Sequence, residues 1–354
     1  MNLFNATTLG SIPLKNKIVM APMTRCRAID NIPNELMAKY YKQRSGAGLI
    51  ITEGTSPSVN GLGYTRIPGA YAPAQIEGWK HIAQAVHESN GKIFVQLMHC
   101  GRISAKENLP SVGEVLAPSA VKASGEMYTD IAGMVEHATP KAMSIGDIEK
   151  TQLEFVNAAE KLIGAGIDGV ELHAANGYLL DQFLNPKSNI RDDAYGGDFK
   201  NRARFVLETA EKVAAKIGKD RVGIRISPYG AMNDVEHNFS DIVELYRYLA
   251  TELKRLGVAY IHIADHTSMG APDFKSDIKT MIKNYFGGIV ITGGGIQNAK
   301  DAEQVLKDGF DLVYVGRPFI ANPNLVEKLK HNEVLITPNQ DLFYTPGEEG
   351  YTDY

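Results

Sequence analysis

Cysteine is scarce in this chain: two residues among 354, Cys26 and Cys100, with no C-x-x-C spacing. That leaves no basis for a disulfide framework, and two isolated thiols in a reducing compartment are expected. No segment approaches eighteen uninterrupted apolar residues, so no bilayer-spanning helix and no membrane partner are expected. The opening MNLFNATTLGSIPLKNKIVM lacks both a charged region followed by a long apolar stretch and a small-residue cleavage pattern, which makes cytoplasmic the default location. A surplus of basic charge is missing too. The net charge is −4, basic runs are short, and Lys and Arg are dispersed among acidic residues, so nothing suggests nucleic acid as a partner. What is present is 44% hydrophobic residues in a chain long enough for one large barrel or two ordinary domains. Such a chain can bury its core without a metal or a disulfide.

Short apolar, β-branched runs recur along the sequence and predict strands at 18–21, 49–53, 93–97, 169–173, 222–226, 260–264, 288–291 and 312–315. Most are nearly continuous apolar runs, the pattern of parallel strands covered on both faces. Amphipathic stretches predict helices at 76–90, 148–165, 201–217, 240–256 and 299–308, several closed by a glycine. Eight strands alternating with helices point to an α/β fold, a (β/α)8 TIM barrel, with a doubly wound open sheet as the alternative. Two departures from a minimal barrel are expected. The residues before the first strand can form a hairpin closing the barrel floor. Residues 103–146 make a long excursion after strand 3, placed on the active-site face.

In a barrel of this kind, residues just past the strand C-termini converge on one mouth. The first strand delivers Pro22, Met23 and Thr24, and the second delivers Glu53 and Gly54. TGGG after the seventh strand, with Gly294 and Gly295, and Gly316–Arg317 after the eighth sit where barrels commonly hold a phosphate on backbone N–H groups. Arg317 can add a charge-assisted contact; two ordinary glycine turns are the bland alternative. Arg225, inside the apolar run GIRIS, is costly to bury unless it pairs with a carboxylate or faces an electron-rich ligand. A reduced flavin is such a ligand, because its N1–C2=O edge needs a cation, and Gln96 could serve the ring's amide edge with a donor and an acceptor. In VELHAANGYLLDQF, His173 and Asn176 stand three apart, so a helical turn would place both on one face. Two donors side by side can hold a carbonyl oxygen and the charge it gains, and the phenol of Tyr178 can deliver a late proton. A satisfied helix-start cluster remains the alternative. A metal is disfavoured there, with no His or carboxylate at i+4 from His173. The other histidines, His262 and His266 among them, show no ligand spacing and read as structural or solvent-facing.

The segments NKIVMAPMTR, GAGLIITEGT, IFVQLMHCGR, DGVELHAANGYLLDQFLNPKSNIRDDAYGGDFKNRARF, RVGIRISP, GGIVITGGG and LVYVGRPFIANPNLV together resemble the Old Yellow Enzyme family of flavoproteins. The resemblance covers nearly the whole chain and is poorest at 103–146 and in the loop after strand 6, 266–275. It implies one FMN-binding barrel domain over residues 1–354, with FMN held non-covalently and NAD(P)H as reductant. Thr24 matches a residue that hydrogen-bonds the flavin C4=O, while Pro22, Met23 and Gly54 would line the ring. Gln96 and Arg225 match pyrimidine contacts, and Gly294, Gly295, Gly316 and Arg317 match the phosphate cradle. His173 and Asn176 match the pair that binds the substrate's activating oxygen, and Tyr178 matches the proton donor. Tyr64 and Tyr344 look like aromatic walls of the substrate pocket.

The implied reaction is reduction of the activated C=C bond of α,β-unsaturated carbonyl or nitro compounds, by hydride from the flavin and a proton from Tyr178. The chain carries Thr24 where another branch of the family has Cys, Asn176 where many bacterial members have His, and Met98 where some have Trp. Expected partners are these small molecules and the nicotinamide, in a monomer or homodimer. A flavin-free barrel lyase or isomerase would share the phosphate loops but leave Gln96 and Arg225 unexplained. A catalytically silent binding barrel would have no use for His173, Asn176 and Tyr178. Substrate and nicotinamide specificity are expected to reside in the excursion and the loop after strand 6.

Overall fold

Eight parallel strands close on themselves. In chain order they are β1 Ile18–Met20, β2 Leu49–Ile51, β3 Ile93–Leu97, β4 Gly169–Ala174, β5 Val222–Ile226, β6 Tyr260–Ile263, β7 Ile289–Gly293 and β8 Leu312–Val315. Each pairs with the next, and β8 pairs with β1, which makes a closed (β/α)8 barrel. The structure, a computed structural model, describes residues 2–274 and 277–354. Lys275, the end of the loop read after strand 6, and Met1 lie outside the described residues.

The pleat explains the two cores. In β4, Val170, Leu172 and Ala174 face outward into the layer between strands and helices, while Glu171 and His173 alternate toward the barrel axis. That outer layer is completed by helices with local start and stop signals. Ser144 and Asp147 form a reciprocal cap at the start of Ile145–Gly164, and Asp198 accepts from the Lys200 and Asn201 N–H groups at the start of Phe199–Ile217. Gly257, at φ +72, ends Ile242–Leu256 in the left-handed conformation that glycine adopts without strain. The inner core is separate: Val19, Leu49, Ile51, Phe94, Tyr260, Ile291 and Leu312 pack with Leu9, Ile12 and Leu14. The last three belong to an antiparallel hairpin, Thr7–Leu9 with Ile12–Leu14, which plugs the floor as the sequence suggests.

The weakly periodic excursion contains a hairpin, Glu126–Thr129 with Gly133–Glu136, and a short parallel pair, Leu116–Ala117 with Lys141–Ala142. Asp130 at the hairpin turn binds Arg66 and Thr65 and ties it to the loop after β2. Helices Glu35–Gln43, Leu179–Leu184, Ile278–Phe286, Pro318–Ala321 and Leu325–His331 are not legible in the sequence. None exceeds nine residues, a length at which the 3.6-residue period is weak, although Ala299–Lys307, also nine residues, is legible. No helix among the described residues is long and apolar enough to cross a membrane.

Candidate active site

All eight strand ends open onto one cavity of about 870 Å³, the size of a cofactor pocket. Each candidate residue lies on its wall: Pro22, Met23 and Thr24 past β1, Gly54 past β2, Gln96 on β3, Arg225 on β5, Gly294 and Gly295 past β7, and Gly316 and Arg317 past β8. His173, Asn176 and Tyr178 enter from β4, and Tyr64 and the exposed Tyr344 stand at the rim. Glu53 is not on this wall. Its carboxylate accepts from the Arg25 N–H at 3.2 Å and from the Tyr41 hydroxyl at 3.3 Å, and burial raises it to about 7.

His173 and Asn176 reach the cavity by a route other than the helical turn expected from their spacing. His173 is still in the strand, and Asn176 sits at φ +59 in the turn that follows. An Asn tolerates that left-handed conformation better than most residues. The turn is pinned on all sides: the Asn176 N–H donates to Ser227 Oγ at 2.8 Å, the Gly177 N–H donates to Asp181 at 2.8 Å, and the Asn176 carbonyl accepts from Asn233 Nδ2 at 2.7 Å. Burial, with Arg225 close by, pushes the His173 imidazole well below its usual range. It is therefore a neutral donor at pH 7, and its Nδ1 has no partner among the described residues.

Beneath these residues the strand register builds a buried charge network. Gln96 is level with Glu171, and Arg225 is level with both His173 and His262. Gln96 Nε2 donates to one Glu171 oxygen at 2.8 Å, and His262 Nδ1 lies 2.9 Å from the other. Burial alone would raise the Glu171 carboxyl, but His262, Arg225 and the Gln96 bond outweigh it and hold it below its usual range. Burial likewise pushes His262 down, so a neutral imidazole donates to a carboxylate. Arg225 is nearly fully buried on the cavity wall, and its Nε has no partner among the described residues. The bond to Glu171 uses one N–H of the Gln96 amide, which leaves its second N–H and its oxygen for a ligand.

Tyr178 and Tyr64 share a hydrogen bond of 2.9 Å between hydroxyls, with rings edge-on at 6.2 Å. Burial raises both phenols, so both stay protonated at neutral pH. The His173 ring lies 4.9 Å from that of Tyr178.

Several wall residues escape the sequence reading. His266, from the loop after β6, places Nε2 3.0 Å from Asn176 Oδ1. It stands just past a strand end, so the rule that finds Asn176 also applies to it; only the absence of ligand spacing sets it aside. Arg25 and Arg27, neighbours of Thr24, are buried and donate to the carbonyls of Phe343, Leu342, Gly347 and Gly350. They hold the C-terminal segment so that Phe343 and Tyr344 wall the cavity. No local sequence signal links residues more than 300 positions apart.

Known proteins share this architecture throughout. The profile of the NADH:flavin oxidoreductase / NADH oxidase family matches residues 2–335. 12-oxophytodienoate reductase 1 of Oryza sativa subsp. japonica is 37% identical, covering 98% of this chain and 90% of its own. Morphinone reductase in complex with tetrahydroNAD superposes with a TM-score of 0.95 at 39% identity, covering 100% of this chain and 97% of its own. The old yellow enzyme homologue from Zymomonas mobilis gives a TM-score of 0.94 at 35% identity, with coverages of 100% and 99%. The chain belongs to the NADH:flavin oxidoreductase / NADH oxidase family, the old yellow enzyme group that its strand-end motifs resemble.

Proposed function

We propose that this flavoprotein is an NAD(P)H-dependent ene-reductase whose whole barrel serves one FMN site. The observation that carries the reading is the convergence of two neutral donor side chains, His173 and Asn176, with the phenol of Tyr178 in the cavity that also holds Arg225. The residues present fit FMN. Arg225 is a buried cation that makes no ion pair among the described residues and whose Nε has no described partner, and a reduced isoalloxazine is the kind of anion that would complete it. Gly316 supports the phosphate end. A Cβ built there meets nothing closer than 3.8 Å, and its φ is not in the left-handed region. Packing does not demand a glycine at this position, whereas close approach of a phosphate to the main chain would.

In this reading Gly294, Gly295, Gly316 and Arg317 hold the phosphate. Gln96, Thr24 and Arg225 hold the polar edges of the ring, and Pro22, Met23 and Gly54 line it. FMN, when bound, would supply the hydride-transfer chemistry between the nicotinamide and the β-carbon of the substrate. The protein's part is positioning and proton transfer. His173 and Asn176 donate to the carbonyl or nitro oxygen and stabilise the charge that develops on it. Tyr178 protonates the α-carbon, with Tyr64 donating to the phenolate oxygen so formed. Tyr64 and Tyr344 wall the substrate. The rice relative is named as a reductase of 12-oxophytodienoate and the structural neighbour as morphinone reductase, which supports carbonyl-activated substrates. The bound tetrahydroNAD of the latter supports a nicotinamide at this mouth.

Anaerobic half-reactions test the assignment. Tyr178→Phe should be reduced by NAD(P)H at the wild-type rate and reoxidised by enones about 10² to 10⁴ times more slowly; unchanged turnover on several enones would remove Tyr178 from this role. His173→Ala should lower the enone rate on the order of a hundredfold and weaken the binding of phenols.

A further inference from the structure

Asn176 is immobilised through its main chain. Its N–H, its carbonyl and the following N–H are all engaged, by Ser227, Asn233 and Asp181 respectively. The freedom left to the residue is rotation of its side-chain amide, whose two ends have nearly the same shape and opposite hydrogen-bonding character. One end makes an oxyanion site and the other opposes it. His266 stands against this amide, with Nε2 3.0 Å from Oδ1. Asn176 Nδ2 donates to no described residue, and Asn176 lies on the cavity wall. Burial, reinforced by the charge of Arg225, pushes His266 down to about 4, so at neutral pH it carries a single N–H.

We infer that His266 is a positioning residue: it donates Nε2–H to Asn176 Oδ1 and so turns the Asn176 N–H bonds toward the activating oxygen of the substrate. With the amide reversed, Oδ1 would face that oxygen, two acceptors in opposition. The inference rests on the reading of Asn176 as an oxygen-binding donor. The chain on either side of His266 is well anchored. The Asp265 carboxylate accepts from the Thr267 N–H at 2.9 Å and pairs with Lys279, and the Asp265 main chain is bonded to the Tyr314 hydroxyl. The loop after β6 thus reaches the substrate's polar end through Asn176, even though its sequence resembles the family poorly.

The test uses FMN-loaded protein and 4-hydroxybenzaldehyde, whose phenolic oxygen stands in for the activated oxygen, with dissociation constants measured by calorimetry. Asn176→Ala should weaken binding about tenfold or more, and His266→Ala about threefold to tenfold, the span of one net hydrogen bond. His266→Gln, which keeps an N–H donor, should restore binding to within about twofold. In an Asn176→Ala background, His266→Ala should add nothing, because the two act as one unit. His266→Phe keeps the ring without the donor and replaces the alanine variant if that fails to retain FMN. Unchanged or tighter binding on loss of His266, or an equal loss with and without Asn176, overturns the inference alone. No effect of Asn176→Ala overturns the reading of Asn176 and the inference with it.

Discussion

The lower lumen of the barrel is filled by Val19, Leu49, Phe94, Tyr260, Ile291 and Leu312 and sealed by the hairpin residues Leu9, Ile12 and Leu14. A step or two further along the same strands, the lumen is lined by Gln96, His173, Arg225 and the glycine turns after β7 and β8. In β5 the change takes two residues, from Gly223 to Arg225; in β6 it runs from Tyr260 to His262. The floor is packed by its own side chains, with the Tyr260 hydroxyl as a buried polar atom that lacks a described partner. The mouth leaves Arg225 Nε and His173 Nδ1 without a described partner in a cavity and carries buried charge that a folded chain does not need for its own sake. Stability is therefore concentrated in one storey and chemistry in the other, and substitutions should separate them.

The largest effects belong to the floor. Phe94→Ala removes a fully buried ring that packs against Tyr260 and should cost about 3–5 kcal/mol in urea unfolding of the FMN-free protein. Gly223→Ala would set a Cβ 2.0 Å from the Tyr260 ring and should cost about 1–3 kcal/mol or more. If either variant kept full stability, the division between the storeys would be wrong.

The turn that supports the mouth, held by Asp181 from behind the cavity wall, should instead show its cost as a pH dependence. Burial raises the Asp181 carboxyl to about 7, against hydrogen bonds from Gly177 and Ser227 that partly offset it. An Asp in the unfolded chain titrates at about 3.9. Between about pH 4 and pH 7 the folded state holds the extra proton, so stability present at low pH is lost as pH rises through about 7. Asp181→Asn should flatten that part of the stability–pH curve relative to wild type; an unchanged slope would show that Asp181 is ionised in the folded protein. The smallest effect is expected from Tyr64→Phe, which deletes the 2.9 Å bond to Tyr178 and should slow reoxidation by enones about tenfold or less while leaving reduction unaffected. A slowing as large as that of Tyr178→Phe would make Tyr64 the proton donor.

The two storeys are not equally legible in the sequence. Strands β3, β5 and β8 fall where continuous apolar runs place them, because a strand covered on both faces needs little context. The mouth residues can be named because barrel topology carries every strand end to one place, so Arg225 and His173 become neighbours without any contact being read. Geometry that depends on loops is hidden. The left-handed turn at Asn176, the His266 contact and the clamp of Arg25 and Arg27 on the C-terminal segment all join residues whose approach is set by tertiary packing. The Glu171–His262 pair lies in plain view on two strands, yet only the register of β4, β5 and β6 brings it together.

Gly316 offers the most direct trial of the division between fold and ligand. Urea unfolding of wild type and Gly316→Ala should be compared with and without saturating FMN. The FMN-free proteins should agree within about 0.5 kcal/mol, since the added methyl meets no protein atom closer than 3.8 Å. FMN should stabilise wild type by mass action and stabilise Gly316→Ala much less. Equal stabilisation of the two proteins by FMN would contradict the account, because the glycine turn after β8 would then not be where the cofactor is held.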